Sequence, residues 1–255
     1  MTDARDWFLP VADDTGLRVF AFPHAGAGCA QLAPFGRAAA AQGMSVWAAN
    51  LPGRQARLDE PARTRFEDLA EELVDEITGR LDQPYVLLGY CGGALLAYGL
   101  ARMLRARSAT LPLRLVVVSY EAPDIARRPR RIAHLPADLL WTELVESGGV
   151  PASLGRNPRL QKVAEPAVRA DFTWLAGYRH QPDLPLPIPV TVSFGRADGS
   201  PRGAFLGWRR HTSHPLDVRL VDGGHWLLDD ACDALAAQVA AAVSGDLPAA
   251  PRAVR

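Results

Sequence analysis

A cysteine set among glycines is the first residue in this chain whose surroundings could give it chemistry. It lies in Gly89-Tyr90-Cys91-Gly92-Gly93, after an apolar run and before an Ala/Leu-rich one. A G-x-C-x-G between a strand and a helix reads as a nucleophile elbow with sulfur where oxygen is usual. The turn needs small residues around the nucleophile, because a side chain at Gly89 or Gly93 would collide with the neighbouring strand or helix. It lifts Cys91 above the sheet at a helix N-terminus, where the dipole favours a thiolate. The amide of Gly92 can then donate to an oxyanion. The competing reading is a buried structural cysteine beside packing glycines. The strand before Cys91 and the helix after it favour the elbow.

A thiol nucleophile needs a base, and the base needs an orienting acid. With an elbow of this kind the chain order is nucleophile, acid, histidine. His225, in the Gly-rich stretch Val221–Trp226 (VDGGHW), follows the last strand-like run. Asp198 follows the preceding one, in Phe194–Asp198 (FGRAD). Glu121 also follows a strand-like run and is the rival acid, whereas Asp222 reads as a turn residue. Among the six histidines, His211 and His214 precede the last strand and fall on the wrong edge. His134 and His180 lie in or beside a helical stretch. His24 sits in a Gly-rich turn, where backbone amides matter more than the ring. That turn, Pro23–Gly28 (PHAGAG), follows the first strand and supplies the second oxyanion donor, assigned to the amide of Ala25; its competitor is an ordinary glycine turn.

The elements that must position these residues alternate. Strands are predicted at Leu17–Pro23, Met44–Asn50, Tyr85–Gly89, Leu113–Ser119, Ile188–Phe194 and Asp217–Val221. Helices are predicted at Gln31–Ala41, Phe66–Leu81, Ala94–Arg107, Arg202–His211 and Leu227–Val243. This cadence implies an α/β fold, a mostly parallel sheet with helices on both faces. The stretch Glu121–His180 breaks it with helical runs at Ala137–Glu146 and Glu165–Tyr178 and reads as a helical insertion. One domain is expected over residues 1–245, with residues 246–255 as a disordered tail.

Composition narrows the function classes. Lys+Arg and Asp+Glu are balanced at 28 each, which removes the basic excess expected of a nucleic-acid binder. No apolar run reaches the roughly 18 residues that span a bilayer, and the N-terminal residues lack the apolar core of a signal peptide. A cytoplasmic protein with no membrane association is expected. The three cysteines, Cys29, Cys91 and Cys232, have no metal-ligand spacing and are expected to be reduced thiols.

Taken together, these segments resemble the stand-alone type II thioesterases that serve polyketide and nonribosomal peptide synthetases. The resemblance rests on Phe22–Gly28 (FPHAGAG), Leu51–Arg54 (LPGR), the elbow, Val118–Pro123 (VSYEAP), His134–Pro136, Arg169–Phe172 (RADF) and Gly223–His225. It spans about residues 15–240. It implies an α/β-hydrolase fold with the insertion at about 121–180 as a mobile lid. It also implies a substrate tethered by a phosphopantetheine arm to an acyl or peptidyl carrier protein, no metal or small cofactor, and a monomer. Two positions depart from the family pattern. The elbow usually carries Ser within a pattern like G-H-S-M-G, and the residues before Ala122-Pro123 are usually basic where this chain has Tyr120-Glu121.

The sulfur bears on the reaction. An acyl group passed to serine becomes an oxygen ester; passed to Cys91 it remains a thioester and keeps its transfer potential. A few relatives of this family resemble the chain in having a Cys elbow and shuttle aminoacyl groups between carrier domains, and some Cys-bearing thioesterase domains release products by amine attack. Two enzyme readings therefore stand: a thioesterase that clears acyl groups from carriers, and an acyl or aminoacyl transferase between carriers or to an amine. Water access to the acyl-Cys decides between them. A third reading, a non-catalytic carrier-binding protein, sits poorly with the intact Cys–Asp–His order.

Overall fold

Three runs, Tyr85–Tyr90, Arg114–Val118 and Val190–Gly195, are buried at every position. Strands buried on both faces belong in the middle of a parallel sheet covered by helices on each side. The computed structural model describes residues 3–12, 16–127, 129 and 131–246, and it places these runs there. In chain order the strands are β1 (Phe8–Pro10), β2 (Leu17–Phe22), β3 (Met44–Ala49), β4 (Tyr85–Tyr90), β5 (Arg114–Val118), β6 (Val190–Gly195) and β7 (Asp217–Val221). Across the sheet they run β1-β3-β2-β4-β5-β6-β7. Only β1, paired with β3, is antiparallel. This is the α/β-hydrolase fold.

The helices are α1 (Ala33–Ala40), α2 (Phe66–Thr78), α3 (Gly93–Ala106), α4 (Ala137–Glu146), α5 (Ala152–Gly155), α6 (Pro158–Gly177), α7 (Arg202–Leu206), α8 (Leu227–Asp230) and α9 (Cys232–Val243). Alternation along the strands divides the core in two. Phe20, Phe22, Leu87, Leu115 and Val117 pack with α2 and α3. Their neighbours Val19, Ala21, Val86, Leu88, Val116 and Val118 pack with α1 and α9 on the other face. Among the described residues no helix is long and apolar enough to cross a membrane.

Register brings the site loops to one edge. Phe22 lies beside Gly89, Gly89 beside Val117, Val118 beside Ser193, and Gly195 beside Val221. The chain therefore leaves β2, β4, β5, β6 and β7 along one carboxyl edge, where open α/β sheets bind ligands.

Several elements differ from the sequence expectation. The edge strand β1 was not expected; it is three residues long and ends in proline, which suits only an edge. Burial of Phe8 against Phe20 and Phe22, with ring centroids 5.0 and 5.9 Å away, holds it in place. The helix expected over Gln31–Ala41 begins with a 3-10 turn at Cys29–Leu32. The one expected over Arg202–His211 is a short α7 followed by a 3-10 turn at Gly207–Arg210. The final helix is broken at Ala231, whose ψ of 39° leaves the helical region. Between β5 and β6 lie α4, α5 and α6. α6 starts seven residues before the expected Glu165 and runs through Pro166. Its start is set by Pro158 in the first turn and by Asn157, whose side chain accepts from the amides of Arg159 and Leu160. Residues 247–255, nearly all of the expected tail, lie outside the described residues.

Loss of that cap is a test of how far α6 depends on it. Asn157→Ala is expected to cost about 1 kcal/mol, or roughly 2–4 °C in Tm for a chain of this size, measured by thermal unfolding. An unchanged Tm would show that packing alone fixes the helix start.

Candidate active site

Steric fit makes the elbow. Cys91 has φ of +50°, a conformation held because both flanks are packed solid. A Cβ on Gly89 would lie 2.3 Å from Ala94 Cα, and one on Gly93 would lie 2.4 Å from the carbonyl oxygens of Phe22 and Pro23. The Cys91 amide donates to the Val118 carbonyl at 2.8 Å, and the Cys91 carbonyl accepts from Ala94 at 2.9 Å. Helix α3 begins immediately after, with Gly92 as its N-cap. The nearest neighbours to Gly92 include Ala25, so the two sequence-predicted oxyanion donors lie side by side.

The histidine and its acid meet through their backbones first. Gly195 at the end of β6 abuts the loop after β7: a Cβ there would lie 2.0 Å from the Gly224 carbonyl oxygen. The amides of Arg196 and Ala197 donate to Val221 and Gly223 of that loop. This contact places Asp198 under His225, and His225 Nδ1 pairs with Asp198 Oδ2 at 3.0 Å. The other oxygen, Oδ1, accepts from the Ser200 amide at 2.8 Å. Burial disfavours ionised Asp198, but the hydrogen bonds from His225 and Ser200 outweigh it and hold its carboxyl below the usual range.

His225 carries the opposite perturbation. Burial disfavours its charged form, yet the negative charge of Cys91, the Asp198 hydrogen bond and a hydrogen bond to Cys91 push its pKa up to about 10. Such a value describes an imidazolium at neutral pH. His24 lies nearby and goes the other way. Burial lowers it to about 4, so this ring stays neutral. Its Nδ1 lies 3.0 Å from the Ala25 carbonyl oxygen, and the ring packs edge-on against Trp226 and Tyr90.

Glu121, the rival acid, is buried but committed elsewhere. It accepts from the amide and guanidinium of Arg127 at 2.7 and 3.2 Å. His211 lies away from Cys91 in a network of its own, with Nε2 2.8 Å from Asp124 and Nδ1 3.0 Å from the Tyr98 hydroxyl. Asp222 is exposed and pairs with Arg196.

Four residues around the site had no role assigned to their side chains from the sequence. The Tyr90 hydroxyl donates to the His225 carbonyl at 3.0 Å and steadies the histidine loop. Trp226 packs against both His225 and His24. Both residues adjoin a site residue, which is the signal that could have found them. Arg54 and Asp171 form a buried two-pronged ion pair at 2.6 and 2.9 Å, and 117 residues separate them.

Cys91 opens into two cavities. A small one of about 170 Å³ is shared by Ala25, Gly92, Leu175 and Trp226. A larger one of about 640 Å³ is lined by Ser119, Glu121, Phe172 and His225 as well as by α4 residues. An elbow with a paired histidine and acid on the carboxyl edge defines an α/β-hydrolase-fold enzyme.

The particular family follows from comparison with known proteins. The thioesterase domain family matches residues 17–243, and the chain belongs to that family. It is 31% identical to the thioesterase PikA5 of Streptomyces venezuelae, over 86% of this chain and 78% of PikA5. It is 35% identical, over 91% of its length, to a part of the AMB antimetabolite synthetase AmbE of Pseudomonas aeruginosa, and spans only 11% of that protein. The structure of the type II thioesterase BorB from the borrelidin biosynthetic cluster superposes with a TM-score of 0.85. That match has 29% identity and covers 94% of this chain and 99% of BorB. The chain is thus a thioesterase-family domain, and BorB, a type II thioesterase, shares its fold over nearly the whole of both chains.

Iodoacetamide alkylation measures the thiolate directly, with no oxyanion involved. The His225→Ala variant is expected to lose tenfold or more of the Cys91 alkylation rate at pH 7 and to recover it as the pH rises past the ordinary thiol value of about 8.5. Equal rates at pH 7 would show that the imidazolium does not hold the thiolate.

Proposed function

We propose that the protein cleaves acyl or aminoacyl thioesters carried on the phosphopantetheine arm of carrier proteins in nonribosomal peptide or polyketide biosynthesis, through a covalent acyl-Cys91. The carrying observation is the strained Cys91 beside a His225 that is paired with Asp198. The family match and the resemblance to synthetase-associated thioesterases supply the substrate class.

The reaction follows from the charges. The Cys91 sulfur attacks the thioester carbonyl carbon as a thiolate. The oxyanion so formed lies between the amides of Ala25 and Gly92. Collapse breaks the bond to the pantetheine sulfur, and the His225 imidazolium gives that sulfur its proton. Acylation also removes the negative charge of Cys91, the strongest of the influences that raise His225. The ring, now neutral and less basic, is free to take a proton from the next nucleophile. With water, the acyl-Cys collapses to a free acid and the resting pair returns. Asp198 orients the ring throughout. The helices between β5 and β6 form the lid of this domain and wall the acyl cavity with Phe172, Glu143 and Glu146.

A second reading has a specific observation behind it, the sulfur itself. Acyl-Cys91 is a thioester, so a second carrier thiol or an amine can take the acyl group in place of water. The lid that shields the 640 Å³ cavity then decides the partition.

Intact-mass measurement with an aminoacyl carrier protein, with and without a second empty carrier, separates the readings. Loss of the acyl group to water, with nothing on the second carrier, supports the thioesterase. A persistent adduct that moves to the second carrier supports the transferase. Cys91→Ala is expected to abolish the adduct, and an undiminished adduct would refute the assignment. His225→Ala is expected to lower turnover by roughly 10²–10⁴-fold, far more than His211→Ala, whose ring is held by Tyr98 and Asp124. Equal losses would assign the base wrongly.

A further inference from the structure

One face of α6 touches both segments that carry the proposed oxyanion donors. Val168, Asp171 and Leu175 recur at spacings of three and four residues, which lines them up along a helix. Val168 meets Gly26: a Cβ built on that glycine, whose φ is +78°, would lie 2.4 Å from Val168 Cγ2. Asp171 Oδ2 accepts from the Gly26 amide at 2.7 Å. Leu175 covers Gly92, with its Cδ1 3.1 Å from where a Cβ would stand. Gly26 is one residue beyond Ala25, and Gly92 is the other donor itself.

Asp171 is built as a junction. It is 2% exposed, and both oxygens are doubly occupied. Oδ2 accepts from the Gly26 amide and Arg54 Nη1, while Oδ1 accepts from Arg54 Nη2 and Trp174 Nε1. Arg54, also buried, passes the connection on to the Ala27 carbonyl at 3.0 Å. The oxyanion loop is thus gripped on both sides of Gly26, once by Asp171 and once by its counter-ion. A buried carboxylate is costly unless every lone pair is met, so this carboxylate fixes four donors at once.

We infer that α6 is the template of the oxyanion hole and that Asp171 is a positioning residue that sets the Ala25 amide. This rests on the reading of Ala25 and Gly92 as the donors. It makes the hole conditional: the elbow fixes Gly92, whereas Gly26, and with it the neighbouring Ala25 amide, is held by α6, so movement of the segment between β5 and β6 shifts one donor against the other.

The test uses a difference between two reactions of Cys91. Acylation by a thioester develops an oxyanion; alkylation by iodoacetamide does not. Asn at 171 has one acceptor oxygen for four donors, and either orientation turns an NH₂ group on two of them. Asp171→Asn is expected to lower the acylation rate constant with S-alanyl-pantetheine or S-acetyl-pantetheine about 10²-fold, the scale of a lost oxyanion donor. The KM is expected to change little, and the alkylation rate is expected to stay within about twofold, the scale of an unchanged thiolate. Leu175→Ala, which leaves the ion pair intact, is expected to give a smaller fall in acylation, about tenfold if the amide shifts by a fraction of an ångström, again with normal alkylation. Parallel loss of both reactions in the two variants would overturn the inference, since it would mean general loosening. Undiminished acylation in both would overturn it too. Wild-type protein that neither turns over these pantetheine thioesters nor takes an acyl group on Cys91, by peptide mass, would sink the functional reading instead.

Discussion

The active edge depends on one strained residue. A non-glycine residue at positive φ costs roughly 1–3 kcal/mol and persists only where its surroundings over-determine it. At Cys91 they do. The glycines at 89 and 93 let α3 and the β2 end close to within contact of the turn, and the Val118 carbonyl anchors its amide. Relaxing Cys91 toward ordinary backbone would pull its sulfur off the edge and shift the start of α3 with it. Because α3 also packs against α2, through Gly99 on Phe66, the strain is held by a large part of one core layer. The next strand repeats the device at Ser119, φ +51°, whose amide is tied to the Ser193 carbonyl. Two adjacent strands thus end in tight turns that open the cavity between them.

Charge is sorted around that elbow with little redundancy. Two imidazoles lie within a few residues' reach of the thiol, and they are driven apart. Burial outweighs the pull of the nearby Asp171 and leaves His24 neutral, so it serves as a rigid aromatic wall with Trp226 and Tyr90. Burial beside Asp198 and Cys91 leaves His225 charged. The difference comes from partners, since both rings are desolvated. Glu121 could have competed for His225, but Arg127 occupies it through both its amide and its guanidinium. A single acid–base pair is left poised against the sulfur.

How much of this was legible in the sequence depended on distance along the chain. The elbow is five consecutive residues, and its steric rule is local, so Cys91 and its glycines could be read directly. Asp198 and His225 could be read because strand ends in a parallel sheet share an edge, which turns chain order into proximity. The choice between Asp198 and Glu121 was not legible, because it turned on Gly195 admitting the Gly223–Gly224 backbone and on where Arg127 points. Strand β1 was hidden for a different reason. Three residues ending in proline carry no period, and only the pocket made by Phe20 and Phe22 gives Phe8 a place. The Arg54–Asp171 pair was invisible as an interaction, although both residues lie in segments that marked the family resemblance.

The sulfur and the acid–base pair have to be considered together. A serine at this turn would need His225 to be a free base at rest, because its hydroxyl keeps its proton at neutral pH. Cys91 does not need that, and the raised His225 shows a ring already committed to holding a proton. On the proposed acyl-Cys91 route the histidine enters the cycle as an acid, suited to expelling a thiol, and becomes a base only after acylation. The second half of the reaction is therefore controlled by what reaches the acyl group while the ring is neutral. A cavity of about 640 Å³, walled by polar Glu121 and Glu143 and by apolar Ile132 and Phe172, opens at Cys91. On the proposed route, discrimination between water and a second thiol falls to the elements that wall it, among them α6, which also contacts Gly26 and Gly92 through Val168, Asp171 and Leu175. The same helix thus borders the acyl cavity and seats the Gly26 segment, so on the proposed route a shift of α6 that admitted water freely would also loosen the hole.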